Sequence, residues 1–92
     1  MSTPLASLLR GLVKKYGLER ALHGHRMPDY WAAVVGERIA RITQIRSFEN
    51  GVLRVHISEA AWRSEVTLRR DEIRQQLNAH IGESLIKEIQ VR

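Results

Sequence analysis

The chain has 92 residues, 43% of them hydrophobic and 27% charged, which fits one folded domain spanning 1–92 and excludes a disordered segment. It contains no cysteine, which excludes a disulfide framework, a thiolate zinc site and a cysteine nucleophile. Fifteen lysines and arginines against ten acids give a formal charge of +5, and twelve of the fifteen are arginine. Arginine forks onto phosphate and carboxylate and stacks on flat rings, so the bias suits a polyanion or protein partner, with a plain solvated surface as the alternative.

No apolar run approaches the roughly 20 residues of a transmembrane helix. The start of the chain has spaced rather than continuous apolar residues, which argues against a secretory signal and for a cytoplasmic protein. The first helix is predicted over Thr3 to Tyr16, with Thr3 as N-cap and Pro4 at the first helical position. Leu5, Leu8, Leu9, Leu12, Val13 and Tyr16 recur at helical spacing as one apolar stripe, and Gly17 stops the helix. Leu18 to Leu22 form a short helical turn, followed by a polar loop through Gly24 and Pro28. A second helix runs from about Asp29 towards Ala40. Trp31, Val34, Val35 and Ile39 mark its buried side, and Gly36 signals either a break or a close helix contact.

Thr43 to Phe48 and Val52 to Ile57 are strand-like runs around Asn50-Gly51, a strong hairpin signal. A two-residue loop would pair Ile45 with His56 and mix polar with apolar on both faces. A three-residue loop, Glu49-Asn50-Gly51 with a glycine bulge, pairs Ile45 with Val55, Thr43 with Ile57 and Ser47 with Leu53. It leaves Gln44, Arg46, Phe48, Val52, Arg54 and His56 on the other face. The second register separates the faces cleanly and is the expected one.

Ser58 is the expected N-cap of a long helical region reaching about His80. Trp62, Val66, Ile73, Leu77 and Ile81 step by four or seven residues along its core stripe. The pattern leaves open whether it bends near Arg70-Asp71. Gly82 closes it, and Leu85 to Val91 form a last strand with Ile86 and Ile89 inward. Strand, helix, strand favours a crossover back onto the hairpin. The expected class is α+β, a three-stranded sheet of hairpin plus C-terminal strand packed on helices.

Nothing in the sequence favours catalysis. There is no Walker loop, no G-x-G-x-x-G and no G-x-S-x-G. Asp71 and Glu72 are adjacent on a helix and point apart, which does not suit a paired acid and base. His23 and His25, with His80 or Asp29, are the only metal candidates, and two solvated histidines are the simpler reading. No metal or other cofactor is expected.

The cations carry the candidate site. Arg46 and Arg54 face each other across the hairpin, a destabilising like-charge pair unless an anion lies on that face or the side chains splay into water. Phe48 stands beside them, placed to stack on a base or meet a protein. Lys14 and Lys15 end a first helix that contains no acid, where they also suit the helix C-terminus. On the long helix Glu59 offsets Arg63 and Glu65 offsets Arg69, while the Arg70–Arg74 pair looks locally uncompensated. Trp31 and Trp62 read as core.

Several runs together resemble the DciA-type family of bacterial replicative helicase loaders. They are Tyr16-Gly17-Leu18, Trp31-x-x-Val34-Val35-Gly36-Glu37-x-Ile39-Ala40 and Asn50-Gly51-Val52-Leu53-x-Val55. Ala61-Trp62, Ile73, Leu77-Asn78, Gly82 and Ile86-Lys87-x-Ile89 continue the series, so the resemblance covers nearly the whole chain from about residue 5. It implies a KH-like domain without the backbone-clamping G-x-x-G loop, which this sequence also lacks. It further implies a non-enzymatic role in DNA replication on the bacterial nucleoid, with DNA and the hexameric DnaB helicase as partners and no ATPase of its own. A general single-stranded nucleic-acid binder, or a protein-interaction module whose arginines meet acidic side chains, are the alternatives. Arg46, Arg54, Arg70, Arg74, Lys14 and Lys15 are the expected phosphate contacts, since nothing resembles a recognition helix for base edges.

Overall fold

The computed structural model describes the backbone of residues 3–15 and 18–92 and the side chains of residues 4–11 and 22–92. In chain order the elements are α1 (Thr3–Lys15), α2 (Leu18–Val35), α3 (Glu37–Arg41), β1 (Thr43–Glu49) and β2 (Val52–Ile57). They continue with α4 (Ala60–Leu68), α5 (Arg70–Ile81) and β3 (Glu88–Val91). The sheet order is β1-β2-β3, antiparallel between β1 and β2 and parallel between β2 and β3. A parallel pair needs a crossover, and α4 with α5 provides it. The expected α+β class, a small sheet with helices packed on it, is the one observed.

The core lies between the sheet and the helices. Leu53, Val55 and Ile57 point inward from β2 and meet Met27 and Trp31 of α2, Val66 of α4, and Ile73 and Leu77 of α5. Leu85, Ile86 and Ile89 close it from the last segment. That segment was expected to be strand from Leu85, but the strand begins at Glu88; Leu85 and Ile86 are buried in the irregular approach to it. Asn78 holds this approach, its Nδ2 donating to the Ile86 carbonyl at 2.9 Å and its Oδ1 accepting from the Ile86 N–H at 2.8 Å. The side chain thus stands in for the missing strand partner of Ile86. Trp31 is as buried as expected, yet its Nε1 has no hydrogen-bond partner among the described residues.

Four further expectations are corrected. The polar loop through Gly24 and Pro28 is helix, because α2 runs unbroken from Leu18 to Val35 with Pro28 inside it. An internal proline costs about 3 kcal/mol. Burying Met27 and Trp31, one turn apart on the same face, returns about 1.5–3 kcal/mol each and offsets it. Gly36 is the break, at φ 91° and ψ 161°, a conformation open to glycine and strained for other residues. In the α1 stripe Leu5, Leu8 and Leu9 are 61%, 61% and 53% exposed. The expected stop at Tyr16-Gly17 lies outside the described residues, as do the Thr3 side chain and those of Leu12 and Val13.

The third correction is the hairpin register. Near the turn the loop has two residues, with Glu49 opposite Val52, Phe48 opposite Leu53 and Ser47 opposite Arg54. Asn50 and Gly51 both have positive φ, 54° and 80°, as the twist-matched two-residue turn requires. A bulge at Arg46 then restores the expected pairing of Ile45 with Val55 and Thr43 with Ile57. One extra residue inverts the alternation, so Phe48 lands on the core face opposite Leu53, not beside the arginines.

The fourth concerns caps. Glu59, not Ser58, precedes the first turn of α4, without a side-chain cap bond. The open question of the bend is answered at Arg69 (φ −101°, ψ 8°), which ends α4 and starts α5. Its N–H is shared between the Glu65 and Val66 carbonyls at 3.2 and 3.1 Å, a tightened last turn.

Candidate nucleic-acid interface

The outward face of β2 is polar because its inward face is not. With Leu53, Val55 and Ile57 committed to the core, alternation sends Arg54 and His56 to solvent. The bulge keeps Arg46 exposed on the same side. Parallel pairing sets Gln90 beside Arg54 and Val91 beside Val55, and Arg92 follows. Arg46, Arg54, His56, Gln90 and Arg92 line one shallow groove of about 240 Å³. No acid is among its lining residues.

Two hydrogen bonds organise the groove. Arg54 Nε donates to Gln90 Oε1 at 3.1 Å, and His56 Nδ1 meets the Arg92 carbonyl at 2.8 Å. A carbonyl only accepts, so Nδ1 carries the proton in this contact. The Arg54 contact through Nε leaves both terminal amino groups of the guanidinium for an anion. Such a surface binds by charge and forked donation, and it holds no nucleophile or paired acid and base.

Arg46 and Arg54 share one groove on the expected face, but they do not stand opposite each other: Arg54 pairs with Ser47, and Arg46 is the bulged residue. His56 shared that face in the sequence reading, but Gln90 and Arg92 were missed because only parallel pairing of β3 with β2 places them there. The strand pattern after Gly82 was the available signal, without a register to read from it. Phe48 is half-buried against the core and turned away from these arginines.

Arg70 and Arg74 are not among the residues lining the groove. Arg70 is exposed at the start of α5 and has no ion pair among the described residues. The supposed lack of compensation at Arg74 is corrected, since its Nε donates to Asp71 Oδ1 at 2.9 Å. The Glu65–Arg69 pair forms at 2.8 Å, whereas no Glu59–Arg63 ion pair occurs among the described residues. The side chains of Lys14 and Lys15 lie outside the described residues. His23 and His25 sit two positions apart on α2, about 200° around the helix, and cannot share one ion. His23 Nδ1 instead meets the Tyr30 hydroxyl at 2.9 Å. Among the described residues no three histidine or carboxylate groups converge as a metal site. No helix among them is long and apolar enough to cross a membrane.

Comparison with known proteins agrees with the series of runs quoted above. The family model described as "Dna[CI] antecedent, DciA" matches residues 4–91. A UPF0232 protein of Mycobacterium tuberculosis is 25% identical over 88 residues, covering 96% of this chain and 47% of its own length. A UPF0232 protein of Rhodococcus jostii is 23% identical over the same coverage, and one of Mycolicibacterium paratuberculosis is 25% identical, with 49% of its length covered. The chain thus spans about half the length of the curated relatives it matches.

Proposed function

The chain belongs to the DciA family, and from that membership we propose that it is a non-enzymatic adaptor of bacterial DNA replication. In this reading it binds DNA through the β2–β3 face and associates with the replicative DnaB-type helicase in the cytoplasm. The observation that carries the DNA half is the acid-free groove of Arg46, Arg54 and Arg92 on one sheet face. Its ligand is the phosphate backbone, because forked arginines on a shallow surface suit phosphate oxygens. Arg70 and Arg74 on α5 are secondary phosphate contacts outside this groove. Phe48 serves as a packing residue under the hairpin in place of a stacking platform.

Titration of a single-stranded oligonucleotide at several salt concentrations tests this. Affinity is expected to be weak, indifferent to sequence and steeply salt-dependent. Arg46→Ala with Arg54→Ala should reduce the slope of log affinity against log salt by about two, and Arg92→Ala by about one. Unchanged affinity in the double variant, with the fold intact, would remove the sheet face from the account. Co-purification with the host helicase, with and without the oligonucleotide, separates the adaptor from a general nucleic-acid binder.

A further inference from the structure

On the side of the molecule where α2 and α3 meet α4 and α5 lies a second, larger groove of about 570 Å³. Val35, Ile39, Trp62, Val66 and Ile73 make its floor. Glu65, Arg69 and Glu72 stand at its rim. Glu65 is neutralised by Arg69, but Glu72 has no cationic partner among the described residues and only accepts from Gln76 at 3.4 Å. The Arg38 guanidinium lies over the Trp62 ring, 5.7 Å from its centroid. The floor is thus apolar, and Glu72 is the rim acid without a cationic partner among the described residues, while Arg38 lies over the tryptophan.

The same chain carries the matching shape. Helix α1 has leucines at positions 5, 8 and 9 that are each more than half exposed. These three stand at helical spacing on one apolar side that is largely open to solvent. The helix holds Arg10, Lys14 and Lys15 and no acid. An amphipathic basic helix and an apolar groove with an unneutralised acid are complementary in both hydrophobicity and charge.

The arm does not reach its own groove. Val34 opens the groove sixteen residues beyond Leu18, about 24 Å along the axis of α2. Leu5 and Leu9 stand ten and six residues from the end of α1 at Lys15, about 15 and 9 Å. Folded back along α2, α1 would leave its three leucines about 9–15 Å short of the groove. We infer that the groove seats α1 of a second copy of this chain, two arms being exchanged across a twofold axis. Such an exchange is isologous and closes at the dimer, burying both unpartnered stripes at once.

The absence of native cysteine makes the test clean. Leu8→Cys in one chain and Gln76→Cys in another should form a mixed disulfide dimer on oxidation, in preference to either like pair. A chain carrying both substitutions should cross-link into dimers. An internally cross-linked monomer would show that the arm serves its own groove, and no specific cross-link would show that it serves none. Sedimentation of the unmodified chain should reveal a monomer–dimer equilibrium. Leu8→Gln should weaken it tenfold or more, by roughly the burial of one leucine, and Glu72→Lys should weaken it too. Both variants should keep the circular dichroism of the unmodified chain. A monomer at every concentration, or a dimer indifferent to both substitutions, overturns the inference.

Discussion

Asn78 illustrates how much one side chain can decide. Its two bonds to Ile86 satisfy both backbone groups of a residue that has no strand partner of its own. Asn78→Ala should destabilise the fold by about 2 kcal/mol, since two half-buried polar groups are left unpaired. In a domain this small that is a fall in Tm of roughly 8–15 °C, readable by thermal denaturation. Asn78→Asp should fall between the two, keeping the acceptor for the Ile86 N–H and losing the donor to its carbonyl. The role of Asn78 could not be read from residue type alone, because an asparagine near a helix end equally suggests a cap. Trp31, by contrast, was legible as core from its spacing, while its unpartnered Nε1 depends on neighbours that only tertiary packing supplies. Arg92 belongs with Asn78: its place beside His56 follows from a pairing thirty-six residues apart in sequence.

At the scale of elements, the hairpin shows why two plausible registers each looked half right. The turn obeys Asn50-Gly51 and closes with two residues, while the far half obeys the apolar pattern of Ile45 and Val55. The bulge at Arg46 reconciles them. Deleting Arg46 should therefore be tolerated, because Ile45 opposite Val55 and Ser47 opposite Arg54 would then follow in one regular ladder with every inward residue still inward. We expect a stability change below about 1 kcal/mol in urea denaturation, with a weaker grip on DNA. Deleting Arg54 from β2 instead should unfold the protein, since one missing residue there sends half of a buried strand to solvent. Gly51→Ala should cost about 1–2 kcal/mol through its φ of 80°. Helix α2 was misread in the opposite direction: Gly24 and Pro28 are local signals, and burial of Met27 and Trp31 outweighs them. Gly36 was legible because a backbone at φ 91° leaves its mark in residue type.

For the molecule as a whole, stability and reach are divided between different parts. The principal extents are 55 × 21 × 20 Å, and the buried core is drawn from α2 onward. Leu5→Gln with Leu9→Gln should accordingly leave the unfolding free energy of the monomer unchanged within about 0.5 kcal/mol, measured in urea at high dilution. The fold class, the Asn50-Gly51 turn and the common outer face of Arg46 and Arg54 were legible from sequence because they depend on short-range patterns, whereas the pairing across the hairpin was not. The groove as a whole was not, because β3 reaches β2 across two helices. That crossover has a thermodynamic consequence for the groove. Arg46 and Arg54 come from the hairpin, but Gln90 and Arg92 arrive only when β3 docks beside β2. A polyanion held by all of them binds the docked state alone, and so draws the local opening equilibrium of β3 towards closure. Amide hydrogens of Ile89 to Arg92 should therefore exchange with deuterium more slowly when an oligonucleotide is present, the protection growing with its concentration and vanishing in high salt.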